Sequence, residues 1–305
     1  MSTSTVDRSV NTVPDAVEAP KVPSSPNAAT RRRASKRKPR VALWAAALFT
    51  ALVLLAVIVP GLLAPYDPLG IDLAHSFDAP SATHWFGTDQ SGRDVLSRVI
   101  YGARASVLIG VGATAVGLLG AFVLGLLGGL SGRAVDSGVT WVIEVLYAFP
   151  GILLALVLIA VFGNSAGTQI VAVGLSTIPG YARMVRGQVL SVKNAAYVQA
   201  ERGLGHGPAH VLFRTLLPNA FKPLTVLITL GIGQAIVWAA ALGFLGMGVQ
   251  PPAAEWGAML NAGRNYLQQA WWADFFPGVV IVLLALSLTT LGRFIQAKTQ
   301  PGGTA

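Results

Sequence analysis

Residues 41–64 contain no charged side chain, and the run is long enough to cross a hydrocarbon core of ~30 Å as a helix. Further apolar stretches follow at 105–130, 139–162, 168–184, 223–248 and 275–291. Inside lipid every backbone N–H and C=O must be satisfied within the protein, so continuous apolar runs of this length have to be helices. The expected fold is therefore all-α: a polytopic inner-membrane protein with six transmembrane helices. Charged residues make up 11% of the chain, against about 25% in a soluble domain, which fits that class. There is no cysteine, so disulfides and thiolate metal sites are excluded.

The net charge of +9 is unevenly spread. Arg31, Arg32, Arg33, Lys36, Arg37, Lys38 and Arg40 crowd before the first apolar run, where a basic cluster sets orientation and meets anionic headgroups rather than nucleic acid. That run exceeds the 7–15 apolar residues of a signal peptide and lacks an A-x-A site after it, so it reads as a retained span. Residues 1–30, rich in Ser, Thr, Pro and Ala without periodicity, read as a disordered tail. With both termini cytoplasmic, only Arg93, Arg98, Arg104 and Arg264 fall outside among the Lys and Arg residues. Most acids, including Asp67, Asp72, Asp78, Asp89, Asp94, Glu255 and Asp274, fall outside as well. The positive-inside rule supports that orientation.

On the cytoplasmic side, residues 197–219 form a polar, basic insertion. It has a helical run, a break at Gly203, Gly205, Gly207 and Pro208, an amphipathic run through Leu217, and an expected stop at Pro218. By itself this reads as a helical hairpin lying on the membrane surface. It also resembles the cytoplasmic coupling loop of ABC importer permeases, whose pattern is E-A-A, three residues, Gly, nine residues, I-x-L-P. The matching positions are Gln199-Ala200-Glu201, Gly205 and Thr215-x-Leu217-Pro218, with Gln for Glu, Glu for Ala and Thr for Ile. The resemblance implies docking of this loop into an ATPase subunit, carried by Gln199, Ala200, Glu201, Gly203, Leu204, Gly205, Leu217 and Pro218.

A second motif runs Phe86-Gly87-Thr88-Asp89-Gln90-Ser91-Gly92-Arg93-Asp94-Val95-Leu96-Ser97-Arg98, continuing through Gly102, Arg104 and Ser106. It resembles the signature F-G-T-D-x-x-G-R-D-V-L-S-R-x-x-x-G-x-R-x-S of one permease subunit of dipeptide, oligopeptide and nickel importers. Gly87 and Gly92 permit tight turns, and Asp89, Arg93 and Asp94 are expected to form a local ion-pair knot; Gly87, Thr88, Asp89, Gly92, Arg93 and Asp94 are the residues of the extracytoplasmic signature. His84 stands without a second histidine beside it, so no metal site is expected. The stretch 239–257 resembles the same subfamily's E-A-A-L-S-F-L-G-x-G-x-Q-P-P…W-G, with Ala239 and Gly243 in place of Glu and Ser. The family's terminal G-D-x-L-R-D is degraded to Gly292-Arg293-Phe294-Ile295-Gln296-Ala297.

Within the spans, Gly117, Ala121, Gly125 and Gly129 recur every four residues and share one helix face, where small side chains admit another helix closely. That helix belongs either to this chain or, as the resemblance implies, to a partner permease. Glu144 reads as an interfacial acid paired with a neighbouring base, Pro150 as a kink, and Pro179-Gly180 as a second break. Trp271 and Trp272 read as an aromatic belt.

No Walker A pattern, nucleophile elbow or HExxH appears, and no intramembrane chain of ionisable residues offers an ion route, so an external motor is expected rather than catalysis by this chain. The resulting layout is a basic tail at 1–40, a first span at 41–64, an extracytoplasmic segment at 65–104, a five-helix core at 105–298 with the coupling loop at 190–222, and a short tail at 299–305. The resemblance implies the type I ABC importer permease fold and a homologous second permease. It also implies two ATPase subunits that hold ATP and Mg, and an extracytoplasmic solute-binding protein, with no cofactor in this chain. Di- or oligopeptide, nickel chelate, haem or another solute remain open as cargo, as does a motor-free transporter.

Overall fold

The computed structural model describes residues 38–299, so the disordered and basic readings of 1–37 and the end of the terminal tail lie outside it. Among the described residues there is no strand, only an antiparallel bridge between Thr88 and Asp94. The long elements are α1 (Lys38–Ile58), α3 (Val95–Leu130), α4 (Arg133–Ala148), α5 (Gly151–Phe162), α6 (Ala166–Lys193), α10 (Thr225–Leu242) and α12 (Trp272–Thr299). Short helices α2 (Pro60–Leu63), α7 (Ala196–Gly203), α8 (Pro208–His210), α9 (Leu217–Phe221) and α11 (Trp256–Gly263) sit in the connections. Four helices are long and apolar enough to cross a membrane, and the bent pair α4–α5 makes a fifth. The sixth expected span is α6, which is 28 residues long but carries Gln169, Arg183, Arg186 and Lys193.

Several boundaries differ from the sequence reading. The first span ends at Ile58 rather than 64, because Val59 precedes Pro60 and takes a non-helical conformation (φ −132°, ψ 67°). The segment expected to stay extracytoplasmic through residue 104 yields to helix ten residues earlier. Asp94 caps α3 there by accepting from Ser97 N, and the helix continues unbroken into the span. Pro150 does more than kink its helix. Phe149 before it is extended, and α4 and α5 diverge by 84°. Pro179, by contrast, is buried inside a continuous α6, so the expected second break is absent. In the turn before it, Ser176 and Thr177 return their hydroxyls to the carbonyls of Val173 and Gly174 at 2.8 Å.

α3 and α6 form the central pair, packed along most of their length. The small-residue face of α3 is used here, within the chain. A Cβ on Gly117 would stand 2.3 Å from Thr177 Oγ1, one on Gly125 2.6 Å from Val185 Cγ1, and one on Gly129 2.6 Å from Val189 Cγ1. Ala121 between them is fully buried. Close backbone approach is thus required at these positions, and α6 occupies the face expected to be open to either partner. Asp136 of α4 receives both Arg186 Nε (2.6 Å) and Arg186 Nη2 (2.8 Å), tying α4 to α6. Glu144 is exposed, and no ion pair among the described residues includes it. On α4 it is Asp136 that takes the basic partner.

Candidate functional site: the elbow, the outer clamp and the cavity between them

The elbow begins where Lys193, near the end of α6, donates to Gly129 O (3.0 Å) and Leu130 O (3.3 Å), closing the carbonyl end of α3. α7 then packs Val198, fully buried, into a cluster with Val189, Val192, Val211, Leu216 and Ala220. The helix ends at Gly203, and Gly205 takes φ +85° while its N–H reaches Arg202 O. Only Gly205 needs its glycine for conformation. Gly203 closes a helix, Gly207 has φ −64°, and neither would crowd a Cβ.

The chain does not stop at Pro218. Helical turns run from Val211 through that residue in α9 and on through a 3₁₀ segment into α10. Across the break, Thr215 Oγ1 donates to Glu201 Oε2 at 2.6 Å. Gln199 reaches back to Asn194 O at 3.3 Å, and Ala200 and Gly203 are exposed beside it. Leu217 packs partly into the inner cluster. Leu204 (77% exposed) and Phe213 (66%) stand outward. The elbow thus has an anchored inner face and an apolar outer face that no described residue covers.

On the other side, the Phe86–Ser106 motif folds into a clamp. Asp89 Oδ2 accepts from Arg93 Nε at 2.8 Å and lies 3.5 Å from Arg98 Nε, while its Oδ1 accepts from the N–H of Ser91 and of Arg93. Asp94 stands apart from this knot: it caps α3 and meets His84 Nδ1 at 2.9 Å. The ion-pair partner of Asp89 beyond Arg93 is thus Arg98, one the motif contains but spacing alone did not single out. Gly87 (φ +72°) lies against Trp272, and Gly92 (φ +71°) lies so close to Asp72 that a Cβ would fall 1.6 Å from Asp72 O. Thr88 is fully buried and its carbonyl accepts from Trp272 Nε1 at 3.0 Å. Trp272 is therefore a buried strut, and only Trp271 has the half-exposed position of a belt residue.

The clamp also grips the 250–257 loop. Arg98 Nη1 donates to Pro68 O (2.9 Å) and Pro252 O (3.4 Å), and Trp256 Nε1 donates to Val99 O (2.9 Å). Glu255, 1% exposed, accepts from Ser106 Oγ, Gly257 N and Ala258 N, and no cation among the described residues pairs with it. Burial pushes its carboxyl above the ordinary range, against the pull of those three donors. The two motifs read separately in the sequence are thus one structural unit, which explains their joint presence.

Between elbow and clamp, a cavity of about 600 Å³ is lined by the α4–α5 bend, α6 and α10, with Tyr147, Phe149, Arg183, Gln234 and Trp238 among its walls. None of these five was singled out as a site residue from sequence. The available signal was Arg183, a charge within an otherwise apolar span, and Pro150, which makes the bend.

A family model described as "Binding-protein-dependent transport system inner membrane component" matches residues 121–302. This chain belongs to that family. Permease relatives match it over more than four-fifths of its length. It is 36% identical over 265 residues, 87% of each chain, to the dipeptide transport system permease protein DppC of Alkalihalophilus pseudofirmus. It is 40% identical to the probable D,D-dipeptide transport system permease protein DdpC of Escherichia coli, covering 84% of this chain and 86% of that one. It is 41% identical to the glutathione transport system permease protein GsiD of Salmonella paratyphi A, covering 87% and 88%. Among solved structures, a chain of the MetNI methionine ABC transporter in an inward-facing conformation superposes with a TM-score of 0.56 at 18% identity, covering 67% of this permease and 96% of that chain. A chain of an amino acid ABC transporter gives 0.55 at 15%, covering 66% and 94%. These likenesses establish the ABC importer permease fold for a multi-pass membrane protein.

Proposed function

We propose that this permease is the transmembrane subunit of an ATP-driven, binding-protein-dependent importer of di- or oligopeptides, in a bacterial plasma membrane with both termini cytoplasmic and six spans. The observation that carries the reading is the elbow, whose inner face is locked into the α3–α6 core while Leu204 and Phe213 stand uncovered at its tip. The peptide cargo is supported by the names of the dipeptide and glutathione permeases it resembles.

In this reading two ATPase subunits hold ATP and Mg and receive the elbow, and a homologous second permease completes the path. An extracytoplasmic solute-binding protein delivers the cargo near the Asp-rich clamp and the 250–257 loop. Closure of the motors pushes the elbow, and because Val198, Val211 and Leu216 are embedded in the core, the push is transmitted to α6 and the α4–α5 bend rather than absorbed. The chain itself performs no catalysis and holds no cofactor.

The test is reconstitution of the tagged chain with its co-purifying subunits and binding protein in liposomes, followed by uptake of a labelled dipeptide. Uptake that requires ATP, together with recovery of ATPase subunits, supports the reading. A chain that purifies alone even after cross-linking, or uptake indifferent to ATP, overturns it.

A further inference from the structure

Three cations lie on α6, and their surroundings differ. Arg186 is neutralised by Asp136, and Lys193 spends its donors on the carbonyls that end α3. Arg183 has neither: among the described residues no carboxylate or carbonyl accepts from it, and its guanidinium carbon stands 4.5 Å over the Tyr147 ring. The ring contact positions the group while leaving the carboxylate-binding capacity of its five N–H donors unused.

This cation lines the 600 Å³ cavity, whose other walls include Phe149 and Trp238, with Tyr181 Oη standing 3.5 Å from Gln234 Oε1. Glu144 lies one turn before Tyr147 on α4 but does not line the cavity, so no acid among the described residues offsets Arg183 there. One uncompensated guanidinium beside aromatic walls is complementary to a small solute with a carboxylate at one end and an apolar body. Arginine suits the role better than lysine, because its planar fork meets both carboxylate oxygens.

We propose that Arg183, held on Tyr147, receives the carboxylate of the transported solute in this cavity, with the solute's apolar part against Trp238 and Phe149. This rests on the permease reading and adds a site to it: the path is not a featureless passage but contains one carboxylate-selective station.

The test is equilibrium binding of labelled alanyl-phenylalanine, and of its C-terminal amide, to the purified complex in detergent without binding protein. Saturable binding is expected, weakened about tenfold or more in Arg183→Gln, and weakened similarly for the amide on the unmodified chain. Arg183→Gln should bind acid and amide alike, since the two losses remove the same contact. Tyr147→Leu should lower binding of the acid alone, because it frees the guanidinium without removing it. No saturable binding, equal affinity of the unmodified chain for acid and amide, or an equal loss of both in Arg183→Gln would overturn the proposal. Binding here needs no ATP. Intact binding with absent ATP-driven uptake therefore sinks the importer reading alone, and normal uptake with no such binding sinks only this station.

Discussion

Thr215 Oγ1 lies 2.6 Å from Glu201 Oε2, and these two residues occupy two of the three positions at which the elbow departs from the E-A-A…I-x-L-P pattern. Where that pattern has two apolar residues, this chain has a hydrogen-bonded pair joining α7 to the turns before α9. These two departures are thus one paired change, which staples α7 to the turns before α9.

A double-mutant cycle tests that exchange. Glu201→Ala leaves the buried Thr215 hydroxyl without its acceptor and should cost ~1–3 kcal/mol. Thr215→Ile leaves a half-buried carboxylate that water can reach, and should cost less. The double substitution should be better than the sum of the singles by ~1 kcal/mol, read from the melting temperatures of the detergent-purified permease. Strict additivity would mean the pair is not a staple.

Gly205 and Gly203 should respond in opposite directions. At φ +85° a Cβ costs ~1–2 kcal/mol, so Gly205→Ala should destabilise the elbow and reduce ATP-coupled uptake without blocking membrane insertion. Gly203 ends α7 with open space around it, and Gly203→Ala should be neutral or stabilise by ~0.5 kcal/mol. Limited proteolysis of the elbow and an uptake assay, run on both variants, separate the two outcomes.

Gly92→Ala should be among the most damaging single changes outside the spans. The added Cβ would fall on Asp72 O, a backbone atom, and Gly92 is also at φ +71°. A loss of ~4 kcal/mol or more is expected, seen as failure of the chain to accumulate in the membrane. Normal accumulation would show that the 67–94 loop re-forms without its contact to Asp72.

Glu255 makes a pH-dependent contribution whose sign follows from its burial. Because the folded carboxyl is raised above its ordinary 4.5, the folded state holds the proton more tightly than the unfolded state. Stability from this group is therefore greatest below that value, declines as pH rises through the raised folded value, and is flat above it. Glu255→Gln should abolish this slope while lowering stability overall, since Gly257 N and Ala258 N meet different carboxylate oxygens and one of them would face the amide NH2. Melting temperatures measured from about pH 4 to about pH 8 would show it. An unchanged slope in the variant would place its origin elsewhere.

His75 and Asp72 form an exposed pair with the opposite arrangement. The hydrogen bond that Asp72 accepts from the ring raises the imidazole and lowers the carboxyl. Any stabilisation from the imidazole is present below its ordinary 6.5 and lost as pH rises through the raised folded value, and that from the carboxyl is lost in acid.

Membrane class, helical fold and the location of the elbow were all legible in residues 38–299 as sequence. They depend on local properties: lipid accepts only uncharged runs whose backbone is self-satisfied, and a glycine at positive φ breaks a helix wherever it occurs. The stripe Gly117, Ala121, Gly125 and Gly129 was legible as a contact face for the same reason, but not the identity of its partner, because a small-residue face accepts whichever helix topology brings to it. Pro150 and Pro179 show the limit most clearly. Both prolines lack the same N–H, yet one bends its span by 84° and the other lies within a straight-through helix. What separates them is tertiary: α6 is packed against α3 along most of its length, with the Ser176 and Thr177 hydroxyls turned onto its own carbonyls, whereas α4 packs far less extensively against its neighbours and breaks at the extended Phe149. Arg183 likewise looks in sequence like any cation near the end of a span. Only the packing that gives Asp136 to Arg186 and the ends of α3 to Lys193 leaves Arg183 uncompensated in a cavity, because the allocation of partners is settled by contacts between residues distant in the chain.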